Sequence, residues 1–300
     1  MPVIAVLIPC LDEENTIGGV VSGFRAALPE AQVHVYDNGS RDATIRRAME
    51  AGAEVHVELT PGKGSVVRRM FADLDADVYV MADGDGTYDP GDAPRLVKRL
   101  VEDGLDMVVG ARVGPIGRPG HTAGNRLFNR LYKRLFGRGF TDIFSGYRVL
   151  SNRFVRSFPA GSTGFEIETE MSVHASQLRL PVAEVDVSYS DRPEGSSSKL
   201  RTVRDGYRIL RAMGSLLRDN RPLALFGWLA TGSIAAALAL GVPVVVEFAR
   251  TGLVERLPSA VLATGLTVVA LVLMTLGLVL DAVARARVEA KRLTYLQNRP

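Results

Sequence analysis

Cysteine and paired histidines are scarce in this 300-residue chain. The single cysteine, Cys10, excludes a disulfide framework and a Cys-rich zinc site, and it fits a protein from a reducing compartment. The four histidines show no paired spacing along the sequence, which argues against a His-ligated zinc site. Gly62-Lys63 also lacks the upstream glycine of a P-loop, because Val57 stands at that position. With 47 % hydrophobic residues, the chain is nevertheless apolar enough to build a sizeable core.

Acidic and basic residues are unevenly distributed along the chain. Residues 1 to 198 carry 22 Lys and Arg against 27 Asp and Glu, whereas residues 199 to 222 carry seven basic and two acidic residues. A second basic segment, residues 281 to 300, holds five basic and two acidic residues. Both basic segments border long apolar runs, so the polyanion that they predict is a membrane surface rather than a nucleic acid.

Two runs of 24 residues, Leu223 to Val246 and Leu257 to Leu280, contain no charged residue. About 20 apolar residues cross a hydrocarbon core of roughly 30 Å, so both runs predict membrane-spanning helices. Basic residues crowd the ends away from the connecting loop, which by the positive-inside rule predicts that both termini lie in the cytoplasm.

The segment between Leu200 and Pro222 has apolar residues at steps of three and four, with arginines between them. This spacing predicts a basic amphipathic helix in the lipid headgroup layer. The alternative is an ordinary helix that packs on the domain. The sequence thus predicts four parts: a catalytic domain (1–198), a juxtamembrane helix (199–222), a two-helix anchor (223–284) and a basic cytoplasmic tail (285–300).

The first of these parts alternates short apolar or β-branched runs with stretches of helical spacing. This order predicts an open, mostly parallel α/β sheet, whose ligands bind at the carboxyl ends of the strands. The predicted strands are Val3 to Pro9, Gln32 to Tyr36, Glu54 to Leu59, Val78 to Ala82 and Met107 to Gly110, and the predicted helices are Ile17 to Ala27, Ala43 to Ala51, Gly64 to Leu74 and Ala93 to Glu102.

Two aspartates, Asp83 and Asp85, follow the predicted strand Val78 to Ala82 and are separated by one glycine. Carboxylates at i and i+2 in such a turn can converge on one hard cation, so Mg²⁺ or Mn²⁺ is the expected cofactor. A cation held in this way keeps open positions for the diphosphate of a nucleotide. The alternative is a solvated acidic turn, since acid-rich turns are common after strands.

Seven short motifs follow one another between Ile8 and Leu200. They are Ile8-Pro-Cys-Leu-Asp-Glu-Glu-Asn15, Val35-Tyr-Asp-Asn-Gly-Ser-Arg-Asp42, Gly62-Lys-Gly64, Asp83-Gly-Asp-Gly-Thr-Tyr88, Asp142-Ile-Phe-Ser-Gly-Tyr-Arg148, Gly164-Phe-Glu-Ile-Glu168 and Arg192-Pro-Glu-Gly-Ser-Ser-Ser-Lys-Leu200. The first four resemble the GT-A glycosyltransferases of family 2. The last three narrow the resemblance to the polyprenyl-phosphate glycosyltransferases, the dolichol-phosphate mannose synthase-like group, in the branch with two carboxyl-terminal transmembrane helices. Thr87 departs from the pattern, because relatives often carry a metal-binding Gln there.

The resemblance implies a metal-dependent hexosyltransferase with a GT-A, Rossmann-like domain. It would transfer a sugar, with inversion, from a nucleotide-diphosphate sugar to a membrane polyprenyl phosphate, at the cytoplasmic face of the inner (plasma) membrane. The metal loop resembles that of relatives which use UDP-hexosamines, and this resemblance implies a UDP-hexose or UDP-N-acetylhexosamine donor. The resemblance also implies a multi-pass membrane protein that assembles as a homo-oligomer, without nucleic acid.

Three alternatives remain at this point. The donor could be GDP-mannose, or the acceptor could be a lipid hydroxyl, which would need a general base beside it. The third alternative is a catalytically silent membrane scaffold that only binds the nucleotide-sugar. The intact Asp83 and Asp85 argue against this hypothesis.

The resemblance assigns roles to individual residues. The catalytic set would be Asp85, Arg148 and Lys199, and the metal ligands would be Asp83 and Asp85. The residues expected to bind the nucleotide-sugar are Pro9, Leu11, Glu13, Asp37, Lys63 and Asp83. The cations expected at the acceptor phosphate are Arg112, Arg126, Arg148 and Lys199, each with a solvated surface cation as its alternative.

Overall fold

The computed structural model describes residues 2–113, 132–133, 140–164, 166–190, 218 and 221–298. The chain divides into two compact units, one of Met1–Gly206 with Ala290–Pro300 and one of Tyr207–Glu289. The strands are β1 (Ile4–Cys10), β2 (Gln32–Asp37), β3 (Glu54–Val57), β4 (Val78–Met81), β5 (Met107–Val113), β6 (Arg148–Ser151) and β7 (Val182–Ser188). The helices are α1 (Ile17–Ala27), α2 (Thr44–Glu50), α3 (Lys63–Asp73), α4 (Ala93–Glu102), α5 (Asn152–Ser157), α6 (Ile167–Leu178), α7 (Pro222–Thr251) and α8 (Leu257–Gln297).

The seven strands form one sheet in the order β3-β2-β1-β4-β6-β5-β7. Strand β6 runs antiparallel to β4 and β5, and the other pairs are parallel. The prediction of an open, mostly parallel α/β sheet is therefore confirmed. All five predicted strands and all four predicted helices are present, with ends that differ by at most three residues. The sequence did not predict β6 or β7.

The central strands β1 and β4 are continuous apolar runs because the chain covers both faces of the sheet. Every residue of β4 is buried, and in β1 only Ile4 is partly exposed. Val6 and Ile8 belong to one core cluster with Phe24 of α1 and Leu96 of α4. The loops after β1, β2 and β4 leave the same edge of the sheet, since these three strands are parallel neighbours.

Helices α7 and α8 are long and apolar enough to cross a membrane. In the most apolar 18-residue stretch of each helix, 17 % of the residues are buried in α7 and 11 % in α8. Both helices therefore expose apolar surface that a core helix of a soluble protein would bury. This exposure indicates membrane association. Helix α8 continues to Gln297, so most of the segment expected as a basic tail is helical. Most of the predicted juxtamembrane helix lies outside the described residues.

Arg148, the first residue of β6, is fully buried. Its guanidinium donates hydrogen bonds to the backbone oxygens of Ser145 (3.0 Å) and Ile143 (2.8 Å) and to Oγ of Ser172 in α6 (3.0 Å). The side chain therefore ties the loop before β6 to helix α6. Burial lowers the pKa of Arg148, although nearby carboxylates oppose this effect.

Replacement of Arg148 by alanine should destabilise the domain. The change leaves two buried carbonyl oxygens without donors and opens a cavity, at a cost on the order of 3 kcal/mol. We expect the unfolding midpoint to fall by roughly 6 to 12 °C in a thermal melt of the full chain. Arg156→Ala is the control, because Arg156 forms an exposed ion pair with Asp75 and its loss should change the midpoint little. An unchanged midpoint for Arg148→Ala would contradict the structural role.

Candidate functional site

The loops after β1 and β2 are joined by hydrogen bonds. The backbone N–H of Asp12 donates to Oγ of Ser40, and that of Glu13 donates to Oγ1 of Thr44, both at 2.8 Å. Asp12 has a left-handed backbone with φ of 54°, which turns the chain at this point. Pro9 is buried at the end of β1, whereas Leu11 and Glu13 are partly exposed beyond it. The expected nucleotide-sugar residues of the first loop therefore sit on a backbone braced by the second.

Asp37, the last residue of β2, is buried. Its Oδ2 accepts hydrogen bonds from the backbone N–H groups of Gly39 (2.9 Å) and Ser40 (2.8 Å). In this structure the carboxylate thus shapes its own loop, and its expected contact with a nucleoside stays a prediction. Cys10 lies beside it, with Sγ 3.9 Å from Oδ1 of Asp37. Burial and the Asp37 carboxylate raise the pKa of the Cys10 thiol.

Asn38 connects the second loop to the start of α3. Its side-chain amide donates to the backbone oxygens of Glu58 (2.8 Å) and Thr60 (2.9 Å), and its Oδ1 accepts from the N–H of Gly62 (2.7 Å). Sequence reasoning did not single out Asn38. Asn38 belongs to the second of the seven motifs, but its role could not be predicted because its partners are 20 to 24 positions away in sequence.

The Gly62-Lys63-Gly64 turn meets the backbone of residues 162–163 closely. The N–H of Gly64 donates to the oxygen of Thr163 at 3.1 Å, and a Cβ at Gly64 would lie 2.1 Å from the oxygen of Ser162. Gly62 has φ of +114°, a conformation that side chains disfavour. The two glycines therefore allow the close approach, and Lys63 begins α3 between them.

Lys63 lies between two carboxylates and is almost enclosed, with 9 % of its side chain exposed. Its Nζ forms ion pairs with Oδ1 of Asp83 and, at 2.5 Å, with Oε1 of Glu168 in α6. Burial alone would lower the pKa of Lys63, but the two carboxylates outweigh it and raise the pKa, so the ammonium stays charged. Lys63 was expected near the nucleotide, and the structure brings it to the metal motif. Its pairing with Glu168 was not predicted.

Asp85 is held in place by Thr87. Oδ1 of Asp85 accepts from both the backbone N–H (3.1 Å) and the hydroxyl (2.6 Å) of Thr87, and both side chains are buried. Thr16 anchors the turn by donating its hydroxyl to the oxygen of Gly84 at 2.8 Å. Asp83 and Asp85 offer carboxylate oxygens to a cation, which is the ligand type that Mg²⁺ and Mn²⁺ prefer. The residues present therefore fit such an ion.

The loop between residues 141 and 147 lies against Asp83. A Cβ at Gly146 would be 2.5 Å from Oδ2 of Asp83, and the N–H of Gly146 donates to the hydroxyl of Tyr88 at 2.9 Å. Asp142 in the same loop accepts two hydrogen bonds from the guanidinium of Arg112, at 2.6 and 2.8 Å. The charge of Arg112 is thus paired within the domain.

Of the four cations expected at the acceptor phosphate, the structure describes Arg112 and Arg148, and both side chains donate to groups of the domain itself. Arg148 was expected to contact the acceptor phosphate, yet its guanidinium is fully buried and donates inward to backbone oxygens. Its physical role here is to hold the loop beside Asp83. Arg126 and Lys199 lie outside the described residues.

The mostly parallel sheet, with paired aspartates after β4, has the arrangement of a GT-A-like glycosyltransferase. Residues 5–158 match the glycosyl transferase family 2 profile. Glycosyltransferase AglJ of Haloferax volcanii is 36 % identical over 251 residues, which cover 82 % of each chain. The chain belongs to glycosyl transferase family 2.

A further relative and a solved structure of similar fold differ in what their names specify. Undecaprenyl-phosphate mannosyltransferase of Micrococcus luteus is 27 % identical over 208 residues, 64 % of this chain and 85 % of the relative. Glucosyl-3-phosphoglycerate synthase of Mycobacterium tuberculosis, in complex with Mn²⁺, UDP-glucose and phosphoglyceric acid, superposes with a TM-score of 0.60 at 23 % identity. That likeness covers 72 % of this chain and 79 % of the synthase, and it shows the common fold.

Gly64→Ala should disrupt the site, because its Cβ would meet a backbone oxygen that has no freedom to rotate away. We expect a lower unfolding midpoint and a large loss of turnover, since Lys63 would no longer reach both carboxylates. Gly19→Ala in α1 is the matched control, because beyond the neighbouring backbone of its own helix no residue that the structure describes lies within 4 Å of its Cβ position. Alanine favours a helix interior by about 1 kcal/mol over glycine, so this variant should be at least as stable as the parent. Equal behaviour of the two variants would refute the close packing.

Proposed function

We propose that this chain transfers a sugar, with inversion, from a nucleotide-diphosphate sugar to a membrane polyprenyl phosphate. One observation carries the proposal. A pair of carboxylates suited to a divalent cation, Asp83 and Asp85, follows a central strand in a family 2 glycosyltransferase that also carries two exposed apolar helices. The first feature fits a nucleoside diphosphate as leaving group, and the second fits an acceptor that resides in a membrane.

Asp83 and Asp85 would hold Mg²⁺ or Mn²⁺, which when bound neutralises negative charge on the departing diphosphate. Thr87 holds Oδ1 of Asp85 through its backbone N–H and its hydroxyl, which fixes the orientation of this carboxylate. Lys63 offsets part of the negative charge of Asp83 and Glu168 and limits how far the Asp83 carboxylate can rotate. The residues Pro9, Leu11, Glu13 and Asp37 would border the base and ribose.

The chemical step does not need a strong base from the protein. A phosphate oxygen of the acceptor, ionised at neutral pH, attacks the anomeric carbon and forms the new carbon–oxygen bond. The bond from that carbon to the diphosphate oxygen breaks, and its electron pair leaves with the nucleoside diphosphate. Attack opposite the leaving group inverts the anomeric configuration. No proton has to be removed from the nucleophile, so general-base catalysis is not required.

The acceptor assignment rests on the carboxyl-terminal part of the chain. Helices α7 and α8 expose apolar surface, and the basic segments beside them suit anionic lipid headgroups. The undecaprenyl-phosphate mannosyltransferase of Micrococcus luteus is a relative whose name specifies a lipid phosphate. We also propose a multi-pass protein of the plasma membrane with its catalytic domain in the cytoplasm, in a homo-oligomer. Arg126 and Lys199 remain candidates for the acceptor phosphate, with Arg148 in a positioning role.

Asp85→Asn should lower metal-dependent turnover by at least about 100-fold, because the leaving group loses its counter-ion. Asparagine keeps an oxygen that can accept from Thr87, so the turn should stay folded. Initial rates at several Mg²⁺ and Mn²⁺ concentrations measure the effect. Asp103→Asn is the control, since Asp103 forms an exposed ion pair with Arg99 after α4. Full activity of Asp85→Asn in excess chelator would end the metal hypothesis.

A screen of donors and acceptors tests the whole proposal. The purified chain with Mg²⁺ receives radiolabelled UDP-glucose, UDP-N-acetylglucosamine or GDP-mannose, together with either a polyprenyl phosphate or the corresponding polyprenol. We expect one donor to label the phosphate acceptor and none to label the alcohol. UDP-sugars come first because the synthase complex of the same fold holds UDP-glucose.

Labelling of the alcohol would instead establish a hydroxyl acceptor. Labelling of the phosphate from GDP-mannose alone would establish the mannose alternative, which the name of the Micrococcus luteus relative favours. Binding of a nucleotide-sugar without transfer to any acceptor would support a silent scaffold.

A further inference from the structure

Three potential metal ligands meet at the edge of the sheet, outside the site described above. His34 belongs to β2, and Glu54 and His56 belong to the edge strand β3. The parallel register pairs His34 with Glu54 and Tyr36 with His56. Because alternate residues of a strand face the same side, these side chains share one face of the sheet. Strand register therefore brings together two histidines that lie 22 residues apart in sequence.

The separations between the ligand atoms fit one shared ion. Nδ1 of His34 lies 3.4 Å from Nε2 of His56 and 3.5 Å from Oε2 of Glu54, and Nε2 of His56 lies 3.4 Å from Oε1 of Glu54. Tetrahedral bonds of about 2.0 to 2.1 Å to zinc place neighbouring ligand atoms roughly 3.3 Å apart. Ordinary hydrogen bonds between such atoms are shorter, at about 2.7 to 3.2 Å.

The two imidazoles are more enclosed than the carboxylate of Glu54, which faces solvent. The side chain of His34 is 3 % exposed, that of His56 26 % and that of Glu54 64 %. The ring of Tyr36 stacks on His56 with centroids 4.4 Å apart, which fixes that imidazole. Nε2 of His34 has no hydrogen-bond partner among the described residues, so this ring has its polar contacts on the Nδ1 side, toward Glu54 and His56. An ion could enter past the exposed Glu54.

We propose that His34, Glu54 and His56 bind a divalent metal ion such as Zn²⁺, with the fourth coordination position open to solvent. Two imidazole nitrogens and one carboxylate oxygen are a common zinc ligand set. Nitrogen ligands favour Zn²⁺ over Mg²⁺, so this site would not compete for the cation expected at Asp83 and Asp85. The bound ion would join the edge strand β3 to β2 and stabilise the folded domain.

The test uses Co²⁺ and Zn²⁺ on the full chain, purified in detergent without a histidine tag and freed of metal with a chelator. Excess Mg²⁺ is present throughout to occupy oxygen-ligand sites. We expect Co²⁺ to produce the visible absorption of a four-coordinate ion at one equivalent, and Zn²⁺ to abolish it. Glu54→Gln and His56→Gln should each weaken Co²⁺ binding at least about tenfold. Glu102→Gln is the matched control, because the Glu102 side chain is equally exposed, at 62 %.

A second measurement needs no substitution. Zn²⁺ should protect His56 from modification by diethyl pyrocarbonate, mapped by mass spectrometry, and should raise the unfolding midpoint of the parent chain. The proposal is overturned if Co²⁺ gives no such absorption and Zn²⁺ gives no protection. It is equally overturned if Glu54→Gln and His56→Gln bind Co²⁺ as the parent does, since binding would then belong to other residues. In either case the three side chains form a metal-free ion-pair cluster.

Discussion

The ammonium of Lys63 between the carboxylates of Asp83 and Glu168 is the interaction on which the candidate site depends. The three side chains come from the start of α3, the loop after β4 and the first turn of α6. A buried charge without its partner destabilises the fold, so the site requires these three elements to be packed against one another. The glycines on either side of Lys63 make this possible because they let the backbone of α3 touch residues 162–163.

The remaining loops are held by polar contacts of the same kind, between segments distant in sequence. Asn38 binds the backbone before α3, and Arg148 binds the backbone before β6. Side chains that hydrogen-bond in this way keep one loop conformation, which is what a site for a charged donor requires. Preorganisation of this site thus comes from side chains that need not touch a substrate.

The sequence was most informative where one physical signal dominates. The central parallel strands are apolar throughout and were located to within a few residues, and the two uncharged 24-residue runs identified α7 and α8. Strand β6 was not predicted because it is four residues long and begins with a buried arginine. Strand β7 was not predicted either, although the alternation of acidic and apolar residues from Glu184 to Val187 is typical of a half-exposed strand. The aspartates of the metal motif are neighbours in sequence, whereas the Lys63–Glu168 pair and the His34–His56 contact depend on packing and strand register that no local spacing reveals.

Cys10 has a practical consequence for spectroscopy. It is the only thiol of the chain, it is buried at the end of β1, and its environment disfavours the reactive thiolate. The natural protein therefore already serves as a nearly inert background for site-directed labelling. Two cysteines introduced at exposed positions would carry a pair of fluorophores or spin labels, so a distance across the catalytic domain can be followed during turnover without first removing the native residue.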